Sequence, residues 1–186
     1  MSGQSTVQSI LAQCQETGKS PLKLHFPDDT ITDPDTSPTR DAVRNAPTFS
    51  IASSISKSPS AKYVVIALDL DAPIPTLPVA SPILHGLMVD LVPESGADAD
   101  GWIKLTPATN PAAPWLPPNP PPISSPHRYV LMIWEQPEGL SNDIARSKLE
   151  LSDKLTLWNR IRWDQDACEH KLGLGKVLGG NFFLVG

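Results

Sequence analysis

The chain has 186 residues, 40% of them hydrophobic, and a formal net charge of −5 at pH 7. That length and apolar content suit one domain with a substantial core, while the acidic balance, with no run of Lys or Arg, excludes a nucleic-acid footprint. No apolar stretch approaches the ~20 residues of a membrane span, Met1-Ser2-Gly3-Gln4-Ser5 lacks the basic start of a signal peptide, and Cys14 and Cys168 are too few for a disulfide framework, so a cytoplasmic location is expected.

Val7, Ile10, Leu11 and Cys14 recur at helical spacing and Gly18 stands where a helix would stop, which predicts a short amphipathic helix over residues 5–17. Leu22-Lys23-Leu24-His25-Phe26 alternates and reads as an edge or entry strand, residues 27–46 as a long polar loop, and residues 48–51 as a second strand leading to a Ser-rich connection. Residues 63–68 are an unbroken apolar run rich in β-branched types, the pattern of a strand buried on both faces. It runs into Asp69-Leu70-Asp71-Ala72-Pro73, where alternation puts both carboxylates on one side at the end of a hydrophobic element. That arrangement suggests acceptors delivered to a cleft; an Asx-type turn that merely closes the strand accounts for the same residues.

Residues 83–92 give another apolar strand with His85 near its start, and residues 102–105 a short one. The chain's 21 prolines concentrate in residues 71–82 and 107–126, stiff loops that exclude helix interior and central strand. Residues 127–136 form the second clear core strand, with His127, Tyr129, Leu131 and Ile133 on one face and Arg128, Val130, Met132 and Trp134 on the other. A helix is expected over 143–150, then a longer one capped by Ser152, with Leu155, Trp158, Ile161 and Cys168 near one stripe and Gly173 and Gly175 at its end. Residues 181–185 close the chain as a strand that has to pair centrally. The expectation is a single, mostly β domain over 1–186 with peripheral helices, an N-terminal helical extension over 1–20 and a proline-rich pocket loop over 107–126.

Three strand ends thus carry polar groups beside a proline loop: Asp69 with Asp71, His85, and His127 with Tyr129. Asp69-Leu70-Asp71-Ala72-Pro73, His85 opening an apolar strand, Pro126-His127-Arg128-Tyr129-Val130, Glu135-Gln136 and Gly180-Asn181-Phe182-Phe183, in that order, resemble the phosphatidylethanolamine-binding proteins, also called the Raf kinase inhibitor protein (PEBP) family, over residues 20–186. The long second proline loop and the N-terminal helix look like fungal members. The resemblance implies an antiparallel β-sandwich with C-terminal helices and a pocket for phosphate, a carboxylate or a phospholipid head group. That pocket would be lined by Asp69, Asp71, Ala72, Pro73, His85, Pro122, His127 and Tyr129, with no metal or other cofactor. Ile74-Pro75-Thr76 and Ser81-Pro82-Ile83-Leu84 stand where the family has Ser-Arg and Arg-Glu-Trp, which implies a more apolar wall.

Two imidazoles can each donate to an anion, and a carboxylate such as Asp69 beside one ring fixes its tautomer. Taken singly, a histidine on an apolar strand is more often a satisfied core residue. Arg128, alternating to the other face, is expected to be a structural ion-pair partner, His25 and His170 to lie at the surface, and Trp115 to wall the pocket. There is no Gly-x-Ser-x-Gly elbow, so a serine hydrolase has no support in the sequence. The resemblance implies a binding module that holds a small anionic ligand and modulates a kinase or serine protease. The alternative, by analogy with fungal relatives of secondary metabolite biosynthesis, is an enzyme joining anhydride monomers into maleidrides, with His85, His127 and Asp69 catalytic.

Overall fold

The computed structural model describes residues 5–186; residues 1–4 of the expected N-terminal extension lie outside the described part. Helix α1 (Thr6–Thr17) starts where the Ser5 hydroxyl accepts from the Gln8 amide and stops at Gly18, whose φ of 61° a side chain would oppose. There follow β1 (Leu22–Phe26), β2 (Asp29–Ile31), β3 (Thr48–Ala52), β4 (Tyr63–Asp69), β5 (Ile83–Pro93), β6 (Trp102–Pro107), β7 (His127–Glu135), α2 (Asn142–Lys148), α3 (Gln165–Leu172) and β8 (Gly179–Val185). All the strands join one antiparallel sheet in the order β2-β1-β3-β6-β5-β4-β7-β8.

The expected sandwich is corrected in one respect: there are not two sheets but one, curled until its ends meet. Thr36 bridges Phe183, the Ser20 hydroxyl donates to Gly180 O at 2.8 Å, and the Asn181 amide donates to Leu22 O at 2.8 Å. The loop expected over 27–46 also contains β2, an edge strand whose exposed Asp29 and Thr30 carry no apolar signal.

Strand β4 lies between β5 and β7 and is buried along its whole length, as its two-sided apolar run implied. Val64, Ile66 and Leu68 face a core roofed by the helices, with Ile10, Ala145, Cys168 and Leu172; Tyr63, Val65 and Ala67 face the inside of the curl, with Leu24, Phe49, Leu131 and Phe183. One strand therefore serves two cores. Gly180 lets α1 lie close on β8, because a Cβ there would come within 2.6 Å of both Ile10 Cγ2 and Leu131 O. Cys14 and Cys168 are free thiols in the helix-side core, and burial pushes them up to about 11 and about 12, out of the reactive range.

The long helix expected after Ser152 does not form. Leu157–Asn159 make a single 3₁₀ turn in which Thr156 and Asn159 cap each other, Trp158 is 81% exposed, and α3 begins only at Gln165. The peptide groups of this segment are committed elsewhere. Arg160 O accepts from Leu84 N at 2.9 Å, Arg162 N donates to Ala80 O at 2.9 Å and Trp163 N donates to Pro82 O at 2.8 Å, so the segment straps the entry to β5. Arg162, with φ of 53°, marks the break in the helical pattern.

Candidate functional site

Register assembles the site. Asp69, the last residue of β4, is paired with Tyr129 of β7 and with Ile83 of β5, so His127 and His85, each two residues away, flank one carboxylate. His127 Nδ1 lies 2.9 Å from Asp69 Oδ2, and His85 Nε2 lies 4.0 Å from the same oxygen. Asp69 Oδ1 accepts from the Asp71 amide at 2.8 Å. The Tyr129 ring meets His85 edge-on at 5.0 Å between centroids and stacks on His127 at 6.4 Å and on Phe183 at 5.4 Å.

The bonds fix the tautomers. A carboxylate and a carbonyl only accept, so the His127 Nδ1–H donates to Asp69 and the His85 Nδ1–H donates to Leu116 O at 2.6 Å. The two Nε2 atoms are left for other work: that of His85 faces Asp69, and that of His127 lies 3.0 Å from the Ser124 hydroxyl. The group is nearly closed, with only 4% of the His85 side chain and 1% of the His127 side chain exposed. Burial pushes His85 down to about 4, against the Leu116 carbonyl and the Asp69 charge, which both favour its protonated form. Burial and the adjacent Asp69 charge raise the Tyr129 phenol above its ordinary range.

The shift of His85 has a consequence for folding. Between about 4 and the ordinary 6.5 the unfolded chain binds a proton at His85 that the folded chain refuses, so stability falls as pH drops through that window and changes no further below it. The size is about 3 kcal/mol. Denaturant unfolding at pH 7 and pH 4 is expected to show a larger acid loss for the wild type than for His85→Gln by that amount; equal losses would place the acid sensitivity elsewhere.

The expectation that Asp69 and Asp71 point the same way is corrected. Strand β4 stops at Asp69, and Asp71 turns to Arg128, accepting from Nη2 at 2.7 Å, Nε at 2.9 Å and the backbone amide at 2.8 Å. Burial raises the Asp71 carboxyl, but the bonds and charge of Arg128 outweigh it and hold it below the ordinary value. Arg128 is thus an ion-pair partner, as its alternation implied. Ala72 is buried, with its amide on the Ser81 hydroxyl at 2.7 Å, whereas Pro73 and Pro122 are exposed on the two proline loops. Trp115 meets His85 edge-on at 6.2 Å and anchors its indole N–H on Val43 O at 3.2 Å. His170 is exposed, and His25 is half-buried on β1 with Nε2 2.8 Å from the Ser50 hydroxyl.

Three neighbours were not singled out in the sequence. The proline loop lies along the free edge of β5 through paired bonds between Leu87 and Ala113 and through the Leu116 amide on His85 O at 2.7 Å, which brings Leu116 to His85, and its last turn sets Ser124 against His127. Arg160 is 5% exposed and donates to Leu84 O at 3.1 Å; among the described residues it makes no salt bridge, and its charge works against protonation of His85. Among the described residues no group of three or more His, Cys, Asp or Glu is placed to hold a metal ion, and no helix is long and apolar enough to cross a membrane.

These features define a mostly β protein with three helices among the described residues, built on one curled antiparallel sheet that carries a closed carboxylate and bis-imidazole group at strand ends. The sequence matches the family described as phosphatidylethanolamine-binding protein over residues 26–183, most of its length, and the chain belongs to that family. Comparison with curated proteins gives no match. Among solved structures, the fold is similar to the carboxypeptidase Y inhibitor in complex with its cognate proteinase, with a TM-score of 0.67 and 16% identity over 97% of this chain and 94% of that one. It is also similar to the phosphatidylethanolamine-binding proteins of Plasmodium vivax (TM-score 0.57, 11% identity, 91% and 87% covered) and Plasmodium falciparum (0.58, 13%, 89% and 84%).

Proposed function

We propose that this protein is a cytoplasmic, single-domain binding module that holds a small anion, a phosphate or carboxylate group, against His85, His127 and Tyr129, and that the loaded state engages a protease partner. The observation that carries this reading is the convergence of two imidazoles on one buried carboxylate, His127 through Nδ1 and His85 through Nε2, beneath a proline-stiffened loop. The anion takes the place of Ser124 at His127 Nε2 and is bound together with a proton, because the Nδ1–H is committed to Asp69 and Nε2 donates only when it also carries hydrogen; the 107–126 loop parts to admit it. Its prolines limit the conformations lost when it closes again.

Charge also supports an anion. Arg128 is neutralised by Asp71, whereas Arg160, held on Leu84 O next to His85, has no carboxylate of its own among the described residues and adds positive charge at that histidine. The protease partner rests on family membership and on the inhibitor among the similar structures. Calorimetric titration with inorganic phosphate and with acetate is the test. Saturable heat from either supports the reading, and none from both overturns it; pull-down of a serine carboxypeptidase by the loaded protein then tests the partner.

A further inference from the structure

The Ser124 hydroxyl, the His127 ring and the Asp69 carboxylate form one continuous line, 3.0 Å from Oγ to Nε2 and 2.9 Å from Nδ1 to Oδ2. We propose that this line is a catalytic triad, with Ser124 as a nucleophile toward small carboxylic esters. The inference goes beyond anion binding and concerns a residue that no sequence motif marks. Triads are recognised by geometry and roles rather than by position in the chain, and the roles here are complete: a nucleophile within reach of a base whose other nitrogen is held by a buried carboxylate.

The burial gradient runs the right way. Asp69 and His127 are buried, while Ser124 is half-buried, at the accessible end of the line. Its local turn is restrained, since the Ser124 amide donates to Pro121 O at 2.9 Å in a loop that proline restricts on both sides. The hydroxyl proton has a second acceptor, Ser125 O at 2.8 Å, and rotation about the Cβ–Oγ bond moves it between that carbonyl and His127.

The step balances without a cofactor. Ser124 Oγ bonds to the acyl carbon and its proton passes to His127 Nε2; the ester C–O bond breaks and that proton leaves with the alcohol. Water, deprotonated by His127, then attacks the Ser124 ester, releasing the acid and restoring the hydroxyl. Asp69 is the positioning residue that keeps Nε2 free as an acceptor.

Labelling the full chain with a fluorophosphonate and mapping the adduct by mass spectrometry is expected to mark Ser124. Hydrolysis of p-nitrophenyl acetate is expected to vanish in Ser124→Ala and to fall a hundredfold or more in kcat in Asp69→Asn, with KM little changed. No adduct, an adduct on another serine, or hydrolysis by Ser124→Ala equal to that of the wild type overturns the triad. Phosphate titration of the wild type reports separately on the binding reading, so an inert serine in a phosphate-binding protein rejects the triad alone.

Discussion

His127→Ala is expected to destabilise the protein by about 3 kcal/mol and to weaken phosphate binding tenfold or more. The side chain of Asp69 is 5% exposed and is held by the His127 ring and the Asp71 amide, with the Tyr129 phenol beside it. Truncating the ring leaves a buried carboxylate without its closest side-chain donor, which is the costly half of breaking a buried pair. The same truncation removes the Nε2 that faces Ser124 and would face the ligand. The two effects separate in His127→Asn, whose amide nitrogen stands near the former Nδ1 and still donates to Asp69, but which has nothing at Nε2. That variant is expected to regain most of the stability and none of the binding. Urea unfolding and calorimetric titration of the three proteins measure both; a His127→Ala variant with wild-type stability would show that Asp69 finds another partner.

What could be read from the sequence follows from how far local rules reach. Strand β4 was legible because six apolar residues in a row leave no solvent face, and strict alternation along β7 put His127 and Tyr129 on the same side as Leu131 and Ile133. Alternation misplaced Asp71 because the rule holds only while the strand continues, and β4 ends two residues earlier. The helical periodicity after Ser152 is real in the residues, but the amides of Arg162 and Trp163 and the carbonyl of Arg160 are captured by residues 80–84, a choice only the tertiary fold can make. Curling of the sheet rests on contacts such as that of Thr36 with Phe183, far apart in sequence and without local signal. Ser124 illustrates the remaining gap. Among prolines it carries no periodicity and no motif, and although His127 is only three residues on, nothing local says that the turn at Pro121 aims the hydroxyl back at that ring.

Phe183→Ala is expected to cost about 4 kcal/mol, at the upper end for a single truncation in this protein, and to weaken phosphate binding several-fold in the molecules that remain folded. The side chain is fully buried inside the curl, edge-on to Phe26 at 5.9 Å and stacked on Tyr129 at 5.4 Å, and its own strand supplies the bridge to Thr36 that brings the two ends of the sheet together. Alanine removes the ring that both aromatic neighbours lean on, and a core as well packed as this one closes such a cavity only in part. The Tyr129 ring then loses one of its supports, and through it the edge-on contact that sets the orientation of His85. Ile123→Ser is the matched control, because a side chain 94% exposed contributes little to folding. Guanidinium unfolding is expected to separate the two variants by nearly the whole 4 kcal/mol. Phosphate affinity measured at a denaturant-free temperature where Phe183→Ala is folded decides whether the closed sheet holds the histidines in place. Unchanged affinity would mean that β4, β5 and β7 alone position them.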